Sequence, residues 1–367
     1  MPADKYWVGL NMVLGVGKTR FHRLLRIMGS PRRIFNATRN ELKGIEGIGD
    51  KIADEIKGFD FEKNVDREFR LAEKFGVRIL TLESSEYPPL LKSIYDPPPV
   101  LYYKGESLSK FPIPIAMVGS RSPSNYGKLV AERLSARLAE QGICVVSGMA
   151  RGIDTVCHKH AIKAGGNTLA VFGCGLSITY PPENVYLKET IVKNGGILSE
   201  FPITAKPDKN NFPARNRVIS GLSYGTIVVE AGEKSGALIT AQFALEQGRE
   251  VFAVPGNINS PQSRGTNRLI GTGAKLIEGP ESVIEELPEE IQSLLRSSAD
   301  EVKETVDMSE KEKLVFSFLS HEETHIDSII ENSRLSPAEV SATLVQLELK
   351  GIVRQEDGKM FITSSGN

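Results

Sequence analysis

Between residues 113 and 278, seven short apolar runs alternate with helical stretches, and this alternation constrains the fold more than any other feature of the chain. The runs are IAMVGS, ICVVSGM, TLAVFGCG, GILSE, TIVVEA, EVFAVPG and AKLIEG, and helical patterns cover 126–141, 153–164, 183–193, 237–247 and 265–271. Strands buried on both faces read as continuous apolar runs, and helices interposed between them force parallel pairing. The pattern predicts an α/β, doubly wound, mostly parallel sheet. Two earlier strand-like runs, 77–82 and 100–103, flank a proline-rich stretch containing Tyr87-Pro-Pro and Asp96-Pro-Pro-Pro. The sheet domain is therefore expected to span 76–280.

Residues 1–75 read as a helical domain whose short helices are broken by glycine. Two segments resemble each other, Leu14-Gly-Val-Gly-Lys-Thr and Ile45-Glu-Gly-Ile-Gly-Asp-Lys-Ile, with Gly15 and Gly17 matching Gly47 and Gly49. Such glycines allow a tight hairpin, and the helix that follows offers free N–H groups to a phosphate. The pattern resembles a helix-hairpin-helix (or SAM-like) unit that grips nucleic-acid backbone. A bundle using the hairpins only for packing fits it equally. The triplet Gly17-Lys18-Thr19 is not a P-loop, because Met12 stands where the first glycine is required and no strand leads into it.

Beyond the sheet, 281–308 reads as an acidic helix and linker. Residues 309–367 read as a winged helix, with helices at 310–319, 326–331 and 336–350 and a hairpin around Asp357-Gly358. Charge is uneven along the chain. Residues 1–80 hold 16 Lys and Arg against 11 Asp and Glu, 81–280 hold 21 against 16, and 281–367 hold 8 against 19. A basic front and an acidic tail suit a polyanion partner on the first two-thirds, although an acidic linker alone would produce a similar gradient. No apolar run approaches the roughly 20 residues of a membrane span. The N-terminus MPADKYWVGL lacks a basic region followed by an apolar one, so no signal peptide is expected. Cys144, Cys157 and Cys174 lack CxxC spacing and read as reduced, half-buried thiols of a cytosolic protein.

Open α/β sheets bind ligands at the carboxyl ends of their strands. Here those ends carry Gly119-Ser120-Arg121, then Gly148 to Asp154 with Arg151, then Gly173-Cys174-Gly175. Later come Lys209-Asn-Asn-Phe212-Pro-Ala-Arg215-Asn-Arg217, Glu230-Ala231 with Lys234-Ser235-Gly236, and Pro255-Gly256-Asn257. Arg121, Arg151, Arg215 and Arg217 on one rim, with Lys209 and an exposed Phe212, would track phosphates and stack a base. That combination holds single-stranded nucleic acid without reading its sequence. Plainer readings stay open: Phe212 buried under the sheet edge, Arg217 paired with Glu230 or Glu200, and Asp154 capping a helix.

Several motifs closely resemble the DNA-processing protein A (DprA, or Smf) family: Val118-Gly-Ser-Arg, Val146-Ser-Gly-Met-Ala-Arg-Gly-Ile-Asp154, Phe212-Pro-Ala-Arg-Asn-Arg-Val-Ile-Ser-Gly-Leu222, Val229-Glu-Ala231 and Ser235-Gly-Ala-Leu-Ile-Thr240. The resemblance spans about 80–280, and Val156-Cys157 is a mild departure where the family commonly has small residues. It implies a Rossmann-like single-stranded DNA-binding protein of the cytosol that shields incoming DNA in natural transformation, forms homodimers and loads the RecA recombinase. It places Gly119, Ser120, Arg121, Lys209 and Phe212 in the DNA pocket. Gly148, Arg151, Arg215 and Arg217 join them on the strand-end argument, and no catalytic residue, cofactor or metal is expected.

Three rival readings carry other chemistry. A nucleotide-hydrolysing enzyme of the same broad superfamily would need a glycine loop leading to a catalytic Glu, whereas Glu230 is followed by Ala-Gly-Glu-Lys-Ser-Gly. His321-Glu322-Glu-Thr-His325 matches HExxH. However, Thr324 is expected to cap the second tail helix, with Asp327 completing a capping box, which would separate the two histidines. His158 and His160, two apart, point away from each other on a helix. A duplex-binding regulator would need bases on the third tail helix, which carries only Lys350 against Glu339 and Glu348. The tail reads instead as a protein-docking module.

Overall fold

The computed structural model describes residues 5–295, 308–319, 324–350, 352–356 and 358–363. It divides into two compact units, one ending at Pro288 and the other beginning at Glu289.

The first unit is built on a nine-stranded sheet of β1 (Arg78–Thr81), β2 (Val100–Gly105), β3 (Pro114–Val118), β4 (Cys144–Ser147), β5 (Thr168–Phe172), β6 (Gly195–Ser199), β7 (Gly225–Val228), β8 (Glu250–Ala253) and β9 (Lys275–Leu276). Their order is β1-β2-β6-β5-β4-β3-β7-β8-β9. All neighbours from β6 to β9 are parallel, while β2 runs antiparallel to both β6 and β1. The chain winds outward from β3 to β6, returns to the other side of β3, and winds outward again to β9. The reversal falls between β3 and β7, so their carboxyl ends flank a topological switch point, where open α/β sheets take their ligands.

The sheet is apolar on both faces. One face packs Val146, Val171, Val228 and Leu198 with Val218, Ile219, Ala241 and Ala244 of the helices Asn211–Gly221 and Gly236–Glu246. The other shares a core with the N-terminal helices, in which Trp7 stacks on Phe21 at 5.4 Å and is 2% exposed. Truncating either ring would cost about 3–5 kcal/mol. The two glycine hairpins lie side by side. Gly15 and Gly47 take φ of +81° and +82°, and Arg20 donates to both of their carbonyls, at 2.9 and 3.0 Å. Arg20 thereby ties the two hairpins to each other. The front is fixed to the sheet by His22, 2.7 Å from the Pro97 carbonyl, and by buried Glu68, which accepts the Ile203 N–H at 2.7 Å.

The second unit contains helices Glu310–Phe316, Ile326–Ser333 and Pro337–Leu349, with β10 (Thr324–His325), β11 (Val353–Glu356) and β12 (Met360–Thr363) pairing antiparallel in the order β10-β12-β11. Capping boxes at Ser309/Glu312 and Ser336/Glu339 start two of the helices. The middle one departs from expectation. Thr324 pairs with Phe361 in the sheet and cannot cap, so His325 caps instead, its Nδ1 accepting the Asp327 N–H at 3.2 Å. His321 and Glu322 of the HExxH match, and Asp357 of the wing turn, lie outside the described residues.

Candidate nucleic-acid interface

A cleft of about 940 Å³ opens at the switch point. One wall is the loop after β3, with Gly119, Ser120 and Arg121; another is the loop after β7, with Lys234 and Ser235; the N-terminal turn of the helix Asn211–Gly221 closes the third side. The loops after β3 and β7 are tied together because the Ser120 N–H donates to the Glu230 carbonyl at 2.8 Å.

Phe212 sits in the first turn of that helix. Pro213 follows it harmlessly, since the N–H it lacks is one of the four that a helix start leaves unbonded. The Phe212 ring is half-buried. It rests against the backbone of Gly173, where any Cβ would come within 2.7 Å of the ring. The Arg121 guanidinium lies 5.7 Å from the ring centre, within cation–π range. The Tyr180 ring stands 5.3 Å from it, centre to centre, tilted by 32°. Arg121, Lys209 and Lys234 are exposed at the cleft, and no carboxylate among the described residues forms an ion pair with them. Charge left unpaired beside a half-open aromatic platform suits a phosphate next to a base.

Arg215 lines the same cleft but from beneath, only 4% exposed. Its guanidinium donates to the carbonyl of Gly148 at 2.8 Å and to that of Val171. Burial draws its pKa down to about 10 against the pull of nearby Asp154, so it stays cationic at neutral pH. It is a charge built into the floor and not the rim cation expected. Gly148 lies under that guanidinium, which occupies the space a side chain would need. Asp154 does not cap its helix: Gly152 is the capping residue, and the Asp154 carboxylate reaches back to the N–H groups of Gly148 and Ala150 at 3.1 and 3.3 Å. Burial raises the Asp154 pKa.

Two more expected rim cations are placed differently. Arg217 is 1% exposed and points away from the cleft, with Nη1 2.9 Å from the Asp96 carbonyl, Nε 3.6 Å from the Asp96 carboxylate, and Nη2 bonded to Glu200. Arg151 is exposed beyond β4 but forks onto Glu183 at 2.5 and 3.1 Å, which holds its pKa up. The four-arginine rim is therefore one free guanidinium, one in the floor, one paired at the edge and one internal.

Glu230, the carboxylate that a hydrolase reading would need, is buried. It accepts the Ser124 N–H at 2.8 Å and the Ser124 hydroxyl, fixing the start of the helix Asn125–Glu140. His158 is buried with Nδ1 2.7 Å from the Thr168 hydroxyl, and His160 faces Glu132 at 3.2 Å. The three cysteines are fully buried, not half-buried, and burial raises each thiol's pKa.

The sequence reading missed Tyr180 as a cleft residue and treated Lys234 only as part of a glycine turn. The signal for both is position: each stands on a loop leaving the carboxyl end of a strand.

The sequence profile described as DNA recombination-mediator protein A matches residues 78–288, and that of the DprA winged helix domain matches 299–359. The chain is 34% identical to Protein Smf of Synechocystis over 97% of its length and 98% of that protein's. It is 49% identical to DNA processing protein DprA of Bacillus subtilis over 58% of this chain and 72% of that one. The solved DNA processing protein A of Streptococcus pneumoniae superposes with a TM-score of 0.69 at 35% identity, covering 78% of this chain and 99% of that one. The Helicobacter pylori protein, whose structure concerns a single-stranded DNA binding mode, superposes with a TM-score of 0.51 at 32% identity over 61% of this chain and 96% of that one. The switch-point cleft, the order of the motifs around it and these matches place the chain in the DNA recombination-mediator protein A family, DprA.

Proposed function

We propose that this chain is a DNA-processing protein that holds single-stranded DNA across the carboxyl edge of its sheet and breaks no bond in it. Arg121, Lys209 and Lys234 neutralise phosphates, and Gly119 and the Ser120 side chain line the cleft beside them. Phe212 and Tyr180 offer faces to bases, and Arg215 supplies a fixed positive potential from below. The observation that carries this reading is the unpaired Arg121 guanidinium over the Phe212 ring in an open cleft. The match to the Helicobacter pylori protein supports the same polymer. Arg151 joins the site by exchanging Glu183 for a phosphate, giving up only a solvent-exposed ion pair.

In the cell this places the protein in the cytosol during natural transformation, shielding incoming strands as a homodimer and loading the RecA recombinase onto them. Two clefts brought together by a dimer would share one strand and gain effective concentration. A gel shift at two salt concentrations, with single-stranded, duplex and mononucleotide ligands, tests the reading. Preference for the single strand, lost steeply with salt, is expected. Preference for duplex, or release of free base from mononucleotides, would overturn it.

A further inference from the structure

A second cavity, of about 550 Å³, opens on the same carboxyl edge of the sheet. It shares two walls with the cleft. In the loop after β3, Arg121 and Ser122 line the cleft, while Ser124 and Tyr126 line the second cavity. In the loop after β8, Pro261 and Gln262 line the cleft, while Ser260 and Ser263 line the second cavity. The turn Pro255-Gly256-Asn257, which takes no part in the cleft, lines it as well.

Ser263 is its most informative residue. It precedes the helix Arg264–Gly271, where a serine hydroxyl ordinarily caps the free N–H groups. Here its backbone is already helical, at φ −99° and ψ −7°, and the hydroxyl makes no cap bond. The residue is 4% exposed, yet its Oγ has no hydrogen-bond partner among the described residues. A buried hydroxyl left unbonded costs stability, which a ligand that reaches it restores. The Oγ occupies the place a side chain at position 256 would take, so the glycine of the turn is what admits it. At the mouth, the exposed Asn257 uses its Oδ1 to accept the Asn259 N–H at 2.8 Å, which leaves its amide nitrogen free to donate. Tyr126 completes the lining. Its hydroxyl is committed to the Pro255 carbonyl at 2.9 Å, and its ring is 49% exposed.

None of the described residues lining this cavity carries a charge, so it is a poor seat for a phosphate. A wholly apolar ligand would leave the Ser263 hydroxyl unbonded. A flat, neutral, polar ring satisfies all three features: a face for Tyr126, and an edge for a hydroxyl that either donates or accepts and for an amide that donates. We propose that this cavity is a nucleobase pocket, which takes a base from the same strand that the cleft holds by its phosphates. The inference rests on the reading of the cleft as a single-strand site. The shared walls let one strand pass from Arg121 to Tyr126 with its charged backbone on the cleft side. Because the Ser263 hydroxyl serves as donor or acceptor, the pocket tolerates any base.

The test uses the full chain and an oligo(dT) carrying scattered iododeoxyuridine, which on irradiation cross-links to an aromatic ring it stacks on; peptide mass locates the adducts. Adducts are expected at two places, the Phe212 and Tyr180 platform and Tyr126. Ser263→Ala removes an unpartnered hydroxyl, so the melting temperature should hold or rise. The Tyr126 adduct should nonetheless fall severalfold and affinity by roughly two- to tenfold, the worth of one neutral hydrogen bond. The salt slope should not change, since no phosphate contact is lost. Tyr126→Leu should weaken binding about fivefold or more, and Tyr126→Phe, which keeps the ring, should recover most of that loss. Adducts at Phe212 or Tyr180 alone, or a Ser263→Ala chain that binds and cross-links as the wild type does, would overturn the pocket and leave the cleft standing. Adducts at neither place would overturn the reading of the cleft and the pocket with it. A Tyr126 adduct that forms as readily with free iododeoxyuridine would make the cavity a nucleoside site separate from the strand, and would also overturn the proposal.

Discussion

Arg215 and Arg217, two residues apart on one helix, leave it in opposite directions: one reaches under the cleft to the Gly148 carbonyl, the other reaches away from it to Asp96 and Glu200. Positions two apart on a helix point about 200° from each other, so two arginines adjacent in a motif hold separate parts of the molecule. The helix that carries Phe212 is thereby anchored on both sides. This separates residues that bind from residues that position, and each class has its own measurement.

Arg217→Ala is expected to unfold the protein before it weakens DNA binding. It removes the cation from a buried cluster and strands Glu200, a loss of about 3–5 kcal/mol. Denaturant melting should show that loss, while any folded fraction keeps its affinity for single strands. A stable variant that binds poorly would return Arg217 to the interface.

Gly173→Ala acts in the opposite sense. Its new methyl group would come within 2.7 Å of the Phe212 ring, so the ring must move while the core is left as it is. Affinity should fall by up to the ~1–3 kcal/mol of one stacked base, with little change in melting. Loss of stability with unchanged affinity would contradict Phe212 as the platform.

His158 makes stability depend on pH. Burial, with a smaller push from Arg215, lowers its pKa to about 3 in the folded protein, against ~6.5 in the unfolded chain. Between those values the unfolded state binds the extra proton. The contribution is complete above about pH 6.5 and is lost as pH falls towards 3, at up to about 1.4 kcal/mol per pH unit. Buried Asp154 and Glu200 have raised pKa values and act with the opposite sign, so the informative quantity is the difference between the wild type and His158→Gln. That difference should narrow steadily as pH drops through 6.5. A constant difference would mean that His158 takes up its proton over the same pH range in the folded and unfolded chains.

Much of the fold was legible because its strands are buried on both faces. Runs such as TLAVF and TIVV cannot sit anywhere but in a covered parallel sheet, and the glycine turns after them mark the ligand edge. The helix Asn211–Gly221 was not legible. It is absent from the helical stretches read from the sequence, and a proline in a helix's first turn looks like a breaker until the helix start is known. That one misreading put Arg215 and Arg217 on a common rim. The partnering of Arg151 with Glu183 and of Arg217 with Glu200 depends on loops far apart in sequence, and no local pattern encodes it. In the tail, the cap moved from Thr324 to His325 because strand pairing claimed Thr324 first.

The most direct test is the salt dependence of oligo(dT) binding by the wild type, Arg121→Ala and Phe212→Ala. Arg121→Ala should weaken binding and flatten the log–log slope by about 0.7, the signature of one phosphate that is no longer neutralised. Phe212→Ala should weaken binding by about 1–3 kcal/mol at every salt concentration and leave the slope alone. If both variants bind with the wild-type affinity and slope, the strand does not lie where Arg121 covers Phe212.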